Sequence, residues 1–193
     1  LYSWDIGMGV NFSALYAYYL ASPVNWLLIL CPKKFIIEFM TILIVLKTGL
    51  SGLSFSWYLK KHFGVKKFGV GFFGIFYALS GYMAAYSWNI MWLDCIMLFP
   101  LILLGLEQLV KEKKGTLYCI TLGLSILSNY YISIMICIFM VIYVIAQMTL
   151  NPPKSFGEFM GTGLRFAFYS LLAGGLAAVV LLPEIYALQV TAS

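Results

Sequence analysis

Long apolar runs, punctuated by short lysine clusters, set the pattern of this chain. Residues 35–59 form the first clear run and end at Lys60, Lys61 and His62. The second, 68–86, is entered from Lys66 and Lys67. The third, 95–110, closes at Lys111, Glu112, Lys113 and Lys114. Each is long enough to suggest a helix crossing a hydrocarbon layer. Residues 116–150 then pass without a single charge. One helix of that length would reach ~52 Å at 1.5 Å per residue, well beyond a ~30 Å hydrocarbon core. The run must therefore break, and Ser128-Asn129-Tyr130-Tyr131 is the most polar place for it. Asn151-Pro152-Pro153 ends the second arm, because a double proline cannot continue a helix. A last run, 164–182, closes at Pro183 and Glu184. The pattern predicts an all-α, polytopic transmembrane bundle of about six spans over 35–193.

Residues 1–34 differ. Their apolar stretch is interrupted by Ser22-Pro23 and Asn25 and crowded by Tyr2, Trp4, Tyr16, Tyr18, Tyr19 and Trp26. Two short helices lying at the membrane interface fit this better than a span, since amphipathic aromatic segments anchor there. A true span would also reverse the sidedness of every later loop.

The lysine clusters fix that sidedness by the positive-inside rule. With the 60–67 and 111–114 loops inside, Lys154 and Arg165 fall inside too. The inner side then carries nine basic and three acidic residues, net +6. The outer side carries Lys33 and Lys34 against Asp5, Glu38, Asp94 and Glu184, net −2. Lys47 alone is mid-membrane. The turns 87–94 and 128–131, the part after Pro183, and residues 1–34 face outward.

Composition agrees. Of 193 residues, 63% are hydrophobic and 10% charged, with mean hydropathy +0.95. Ordinary soluble domains are ~25% charged, so a soluble globule, a disordered chain and a disulfide scaffold are all excluded. The net charge of +5 resides in loop clusters and not in an aromatic-interleaved stripe, which argues against nucleic acid as a partner. Cys31, Cys95, Cys119 and Cys137 form no CxxC pair. The chain opens at Leu1 without a leader and reads as an internal piece of a longer protein.

Few residues carry candidate chemistry. The sole histidine, His62, reads as a solvated loop residue, so no histidine-based triad is expected on the outer face. No HExxH, Walker or GxGxxG motif is present. Asp94 reads either as a helix N-cap or as a carboxylate at a cavity mouth, able to serve as general base or hold a divalent metal. Trp88, Trp92, Tyr82 and Tyr86 suit an aromatic belt. Lys47 sits where a charge costs ~2.5–3.5 kcal/mol, so it should face the bundle interior. Glu38, nine residues earlier, lies on the opposite helix face. Lys47 therefore needs a partner from another helix or a bound anion such as a lipid phosphate. Asn129, Tyr130 and Tyr131 mark either a cavity wall or a plain interfacial turn. Glu184 reads as a span terminator. Gly49, Gly52, Gly71, Gly74, Gly174 and Gly175 read as helix-packing faces.

Several stretches fall in a recognisable order. They are Tyr2-Ser3-Trp4, Gly7-Met8-Gly9-Val10-Asn11, Ala17-Tyr18-Tyr19-Leu20-Ala21-Ser22-Pro23 and Lys47 with Gly49-Leu50-Ser51-Gly52. Leu79-Ser80-Gly81-Tyr82, the stretch 89–94, Pro100-Leu101 with Gly105-Leu106-Glu107, Ser128-Asn129-Tyr130-Tyr131 and Leu181-Leu182-Pro183 follow. Together they resemble the YfhO family of bacterial multi-spanning membrane proteins. The resemblance implies a GT-C type fold in the bacterial plasma membrane, with residues 1–34 in an outer loop. It implies a glycosyltransferase moving a sugar from a polyprenyl-phosphate lipid to a teichoic-acid-like acceptor, such as lipoteichoic acid. The catalytic Asp of such enzymes follows the first span, and is expected upstream of Leu1; Asp5 does not match it. Lys47, Asn89, Trp92, Asp94, Asn129, Tyr130 and Tyr131 are then the expected substrate-binding residues. No cofactor is implied with certainty, and a divalent metal stays open. A transporter or lipid flippase, and a non-catalytic assembly protein, are the alternatives.

Overall fold

The computed structural model describes residues 2–3, 10–11, 16–65, 68–152 and 155–191. Trp4, Asp5, the Gly7–Gly9 motif, Lys66, Lys67 and Lys154 lie outside the described residues. The two short strands β1 (Tyr2–Ser3) and β2 (Val10–Asn11) pair antiparallel. Three short turns follow: a π-helical one at Tyr16–Leu20 and 3-10 turns at Asn25–Leu30 and Lys33–Phe35. The described elements after them are α-helices: α1 (Ile36–His62), α2 (Val70–Ala78), α3 (Gly81–Tyr86), α4 (Ile90–Glu112), α5 (Thr116–Ser128), α6 (Tyr130–Leu150), α7 (Phe156–Leu176) and α8 (Ala178–Thr191).

Side-chain contacts give the helix directions. Lys47 meets Asp94 and His62 meets Glu107, so α1 and α4 run parallel. Tyr143 also meets Glu107, and Ser133 meets Cys95, so α6 runs with them. Cys95 contacts Ser125, while a Cβ at Gly105 would meet Tyr118, so α5 runs the other way. Tyr118 bonds Ser170, and Gly123 lies near Ala173, which sets α7 parallel to α5. The loops therefore alternate between two ends. Lys60, Lys61 and the 111–114 loop share one end; Asn25, Asn89, Asp94 and Asn129 mark the other. This is the sorting that the charge pattern predicts.

The uncharged run breaks where its polar residues predict. Asn129 leaves the helical region (φ −159, ψ 105), and its Oδ1 accepts the Ile132 N–H at 3.0 Å, capping α6. Ser155 caps α7 in the same way through Gly157 N–H.

The span count differs from about six. By length and apolar character, three helices of the described residues are able to cross a membrane: 33–62, 90–112 and 130–150. A fourth is counted if the bent pair α7–α8 forms one span. The expected second span splits at Leu79-Ser80 into α2 and α3. α5 has 13 residues, about 20 Å of helix, too short for the layer by itself. The last run does not end at Pro183. It bends by 76° at Ala177, just after the weak helix formers Gly174 and Gly175, and α8 continues through Pro183 and Glu184.

α4 also starts five residues earlier than expected, at Ile90, so Asp94 is a helix-interior residue and not an N-cap. The apolar residues Ile90, Met91, Trp92 and Leu93 carry the helix back past it. Pro100 lies inside α4 and leaves the Ile96 carbonyl without its usual N–H donor. Tyr77 supplies the missing bond, its hydroxyl donating to Ile96 O at 2.9 Å. A helix that would otherwise expose an unmet carbonyl to lipid is thereby satisfied from α2.

The core lies between α4, α5, α6 and α7, around Leu106, Leu109, Tyr118, Leu122, Met140 and Ala173. The α4–α5 contact depends on Gly105, where an added Cβ would come 2.5 Å from Tyr118 N and 2.6 Å from its Cα. Backbone atoms cannot yield as a side chain does. Of the glycines expected to pack helices, Gly52 and Gly74 do meet; Gly49, Gly71, Gly174 and Gly175 have open space at the Cβ position. Gly105→Ala is expected to destabilise the bundle by about 1–3 kcal/mol, seen as a lowered unfolding midpoint in detergent. Gly49→Ala, meeting nothing within 4 Å, is expected to be neutral or mildly stabilising in the same assay.

Candidate functional site

Lys47 is fully buried on the face of α1 that packs against α4. Its Nζ donates to Asp94 Oδ2 at 2.7 Å, to Asn25 Oδ1 at 2.7 Å and to the Ile90 carbonyl at 3.1 Å. An ammonium has three protons, and each has an acceptor here. The partner required by the sequence thus comes from another helix. Within an apolar bundle, such a charge persists only when paired and fully hydrogen-bonded.

The local structure fixes each member. Asp94 stands one turn into α4, directly above the Ile90 carbonyl that completes the Lys47 shell. Asn25 opens a 3-10 turn whose N–H bonds Ser22 O at 3.0 Å, and its Nδ2 reaches Tyr19 O at 3.4 Å. Ser22 and Asn25 are both buried. One carboxylate oxygen, Asp94 Oδ1, is buried with no hydrogen-bond partner.

Cys95, the next residue of α4, links this cluster to the α5–α6 break. Its Sγ lies 3.7 Å from both Ser125 O and Ser133 Oγ and 3.8 Å from Asn129 O, while the Ser125 and Ser133 hydroxyls meet at 2.8 Å. Cys95 also lines an apolar cavity of about 420 Å³ between α2, α3, α4 and α6. Tyr77, Ser80 and Tyr82 contribute polar groups to its lining, and Phe99, Ile136 and Phe139 apolar ones.

The other expected residues differ in burial and in partner. Asn89 is buried at the N-cap position of α4, without a side-chain capping bond. Trp92 is half-buried, its ring 6.5 Å from Tyr86. Asn129 is buried and spends its Oδ1 on the α6 cap. Tyr130 turns to a different partner, donating to Glu184 Oε1 at 2.9 Å. Tyr131 is 47% exposed. Among the described residues, no three His, Cys, Asp or Glu side chains come together as a metal site requires.

Sequence reasoning missed three participants. Asn25 registered only as an interruption, yet it is the third ligand of Lys47. Glu184 does not terminate a span; it is buried inside α8, with Oε1 on Tyr130 and Oε2 unpartnered. His62 is not a solvated loop residue. Its Nδ1 lies 2.7 Å from Glu107 Oε1, which also accepts from Tyr143 at 2.8 Å and Tyr58 at 3.1 Å. Lys111 holds the second Glu107 oxygen at 3.1 Å. The signal was in the spacing: Lys47 and His62 are 15 residues apart and Asp94 and Glu107 are 13 apart, intervals that differ by only about 3 Å along parallel helices.

Lys47→Met or Asp94→Leu alone strands a buried charge and is expected to lose about 3–5 kcal/mol of stability. The double variant Lys47→Met/Asp94→Leu removes both charges and is expected to lose much less than the sum. Unfolding of the four proteins in mixed micelles measures that coupling.

The family model described as bacterial membrane protein YfhO matches residues 1–192. No curated protein and no solved structure matches the chain.

Proposed function

The chain belongs to the YfhO family of bacterial membrane proteins, and from that premise we propose that it forms part of a membrane glycosyltransferase acting at the outer face. The reaction moves a sugar from a polyprenyl-phosphate lipid to a cell-envelope polymer such as lipoteichoic acid. The observation that carries this reading is the adjacency of two environments on α4. Asp94 belongs to a buried polar cluster at the end away from the lysine loops, and Cys95 lines a 420 Å³ apolar cavity. A lipid-linked sugar is built the same way, with an isoprenoid chain joined to a polar head.

In such a transfer the acceptor hydroxyl loses its proton and attacks the anomeric carbon, and the bond to phosphate breaks. The isoprenoid chain would lie against Phe99, Ile136 and Phe139, its head toward Ser80, Tyr82 and the Asp94 end. Two Lys47 protons are held by α4 itself. The third, now on Asn25, is the one a phosphate oxygen would take, offsetting charge as the bond breaks. Asp94 is committed to Lys47, which gives it a positioning role; the base that takes the acceptor proton is another group. Asn89, Trp92, Asn129 and Tyr130 would form the surrounding wall, with Tyr131 at its rim.

A transporter or flippase reading draws support from one observation, the 76° break between α7 and α8, because transporters often carry substrate sites at broken helices. Full-length protein in bacterial-lipid vesicles, given prenyl-phosphate hexoses labelled in the sugar and external lipoteichoic acid, separates the two. Label is expected in the polymer. The Lys47→Met/Asp94→Leu protein is expected to fold yet transfer about a hundredfold more slowly. Label that crosses the bilayer still attached to its lipid would instead favour transport.

A further inference from the structure

Among the described residues, two buried carboxylate oxygens have no partner, Asp94 Oδ1 and Glu184 Oε2. Both residues are at least 97% buried. A carboxylate oxygen enclosed without a donor is costly, because its desolvation is not compensated. Such a group is met by an ordered water, stores strain or accepts a ligand donor.

One piece of chain packs near both residues. Residues 16–30 form a strap across the Asp94 end of the bundle. Its first turn contacts α4, α5, α6 and α8. At one place the strap reaches Glu184: Ala21 is buried against Val180 of α8 and packs with Tyr130, whose hydroxyl holds Glu184. At the other it reaches Asp94, since Asn25 shares Lys47 with that carboxylate. The strap is made of π and 3-10 turns, which hold fewer and poorer backbone bonds than the α-helices beneath it. Trp26, Leu27, Ile29 and Leu30 project from it, exposed.

The chemistry selects the ligand class. Asp94 is already neutralised by Lys47, so its free oxygen calls for a neutral hydrogen-bond donor. A metal ion would need more ligands than the described residues bring together. Hydroxyl groups fit, being neutral donors that tolerate a partly apolar wall. Tyr82, Tyr86 and Trp92 add ring faces at the same end, with centroids 5.2 Å apart for the first pair and 6.5 Å for the second. We infer that Asp94 Oδ1 and Glu184 Oε2 are hydroxyl-accepting positions of a saccharide site roofed by residues 16–30. This inference rests on the glycosyltransferase reading for the sugar's identity as donor, but not for its binding.

The test uses the full-length protein and two probes, a short-chain prenyl-phosphate glucose and octyl glucoside. Glu184→Gln keeps an oxygen for the Tyr130 hydroxyl and places an amide N–H₂ where the ligand hydroxyl would donate. It is expected to weaken probe binding about tenfold, read as the probe concentration that half-raises the thermal midpoint. Tyr143→Phe, in the Glu107 cluster at the opposite end of the bundle, leaves Tyr130 and Glu184 in place and is expected to lower the midpoint of the free protein while keeping probe affinity within about threefold. Asn25→Ala, which loosens the strap without touching either carboxylate, is expected to speed probe association. If transfer proceeds and Glu184→Gln leaves affinity for both probes unchanged, the saccharide site is wrong and the glycosyltransferase stands. If no transfer occurs but the probes bind and Glu184→Gln weakens them, the reverse holds. Absence of both transfer and binding overturns both.

Discussion

A lysine with no exposed surface, held within 2.7 Å of an aspartate, is the constraint around which this bundle is arranged. An isolated ammonium in the hydrocarbon layer costs several kcal/mol. The pair removes the net charge, but only if both side chains are delivered by rigid elements at the right height. α1 supplies Lys47 and α4 supplies Asp94 together with the Ile90 carbonyl. The strap supplies Asn25, the single ligand that does not come from a long helix. Packing alone would let α1 and α4 slide, since the apolar residues of α1 are spread around the helix and form no defined stripe. The ion pair is what gives that contact a register.

α4 is the axis of the arrangement. It is the most buried of the long helices, and it is in contact with α1, α5, α6 and α7. Its one internal defect, the carbonyl freed by Pro100, is repaired by the Tyr77 hydroxyl. That repair ties α2 to α4 beside the apolar cavity, so a helix irregularity and a cavity wall share one cause. A small residue, Gly105, lets α5 approach α4 closely enough to place the Ser125–Cys95–Ser133 contacts beneath Asn129.

Much of this was legible in the sequence, for physical reasons that differ between residues. The helix-ending signals at Asn129 and Asn151-Pro152 are local, and the structure follows them. The lysine loops sort to one end because each lies between runs of helical length. The buried place of Lys47 was legible from the cost of its charge, yet its partner was not, because Asp94 is 47 residues away and also suits a cap. Asn25 and Glu184 were missed for a related reason. A neutral amide in a strap and a carboxylate after a proline give no periodic signal; their roles arise only when the strap and the bent α8 fold back on the bundle. The span count was overread because apolar character was taken as length. α2, α3 and α5 are apolar but short; α5 is buried by its neighbours, whereas α2 and α3 leave most of their large apolar side chains exposed.

The second polar cluster explains why the first is so well placed. Glu107 gathers Tyr58, His62, Tyr143 and Lys111 at the lysine end, about 20 Å along α4 from Asp94. Both clusters join α1 to α4, and both therefore depend on the same register. Sliding α1 by one turn, about 5.4 Å, would strand Lys47 and Asp94 at one end and remove His62 from Glu107 at the other. An alternative packing with either cluster broken leaves a buried charge unpaired, which is far more costly than the loss of apolar contacts from a similar slip. Two such clusters on one pair of helices thus exclude neighbouring registers that a purely apolar seam would tolerate. Polar groups at the ends and an apolar middle give the bundle a single alignment, and that alignment sets Lys47 and Asn25 against Asp94 while the next residue, Cys95, lines the apolar cavity.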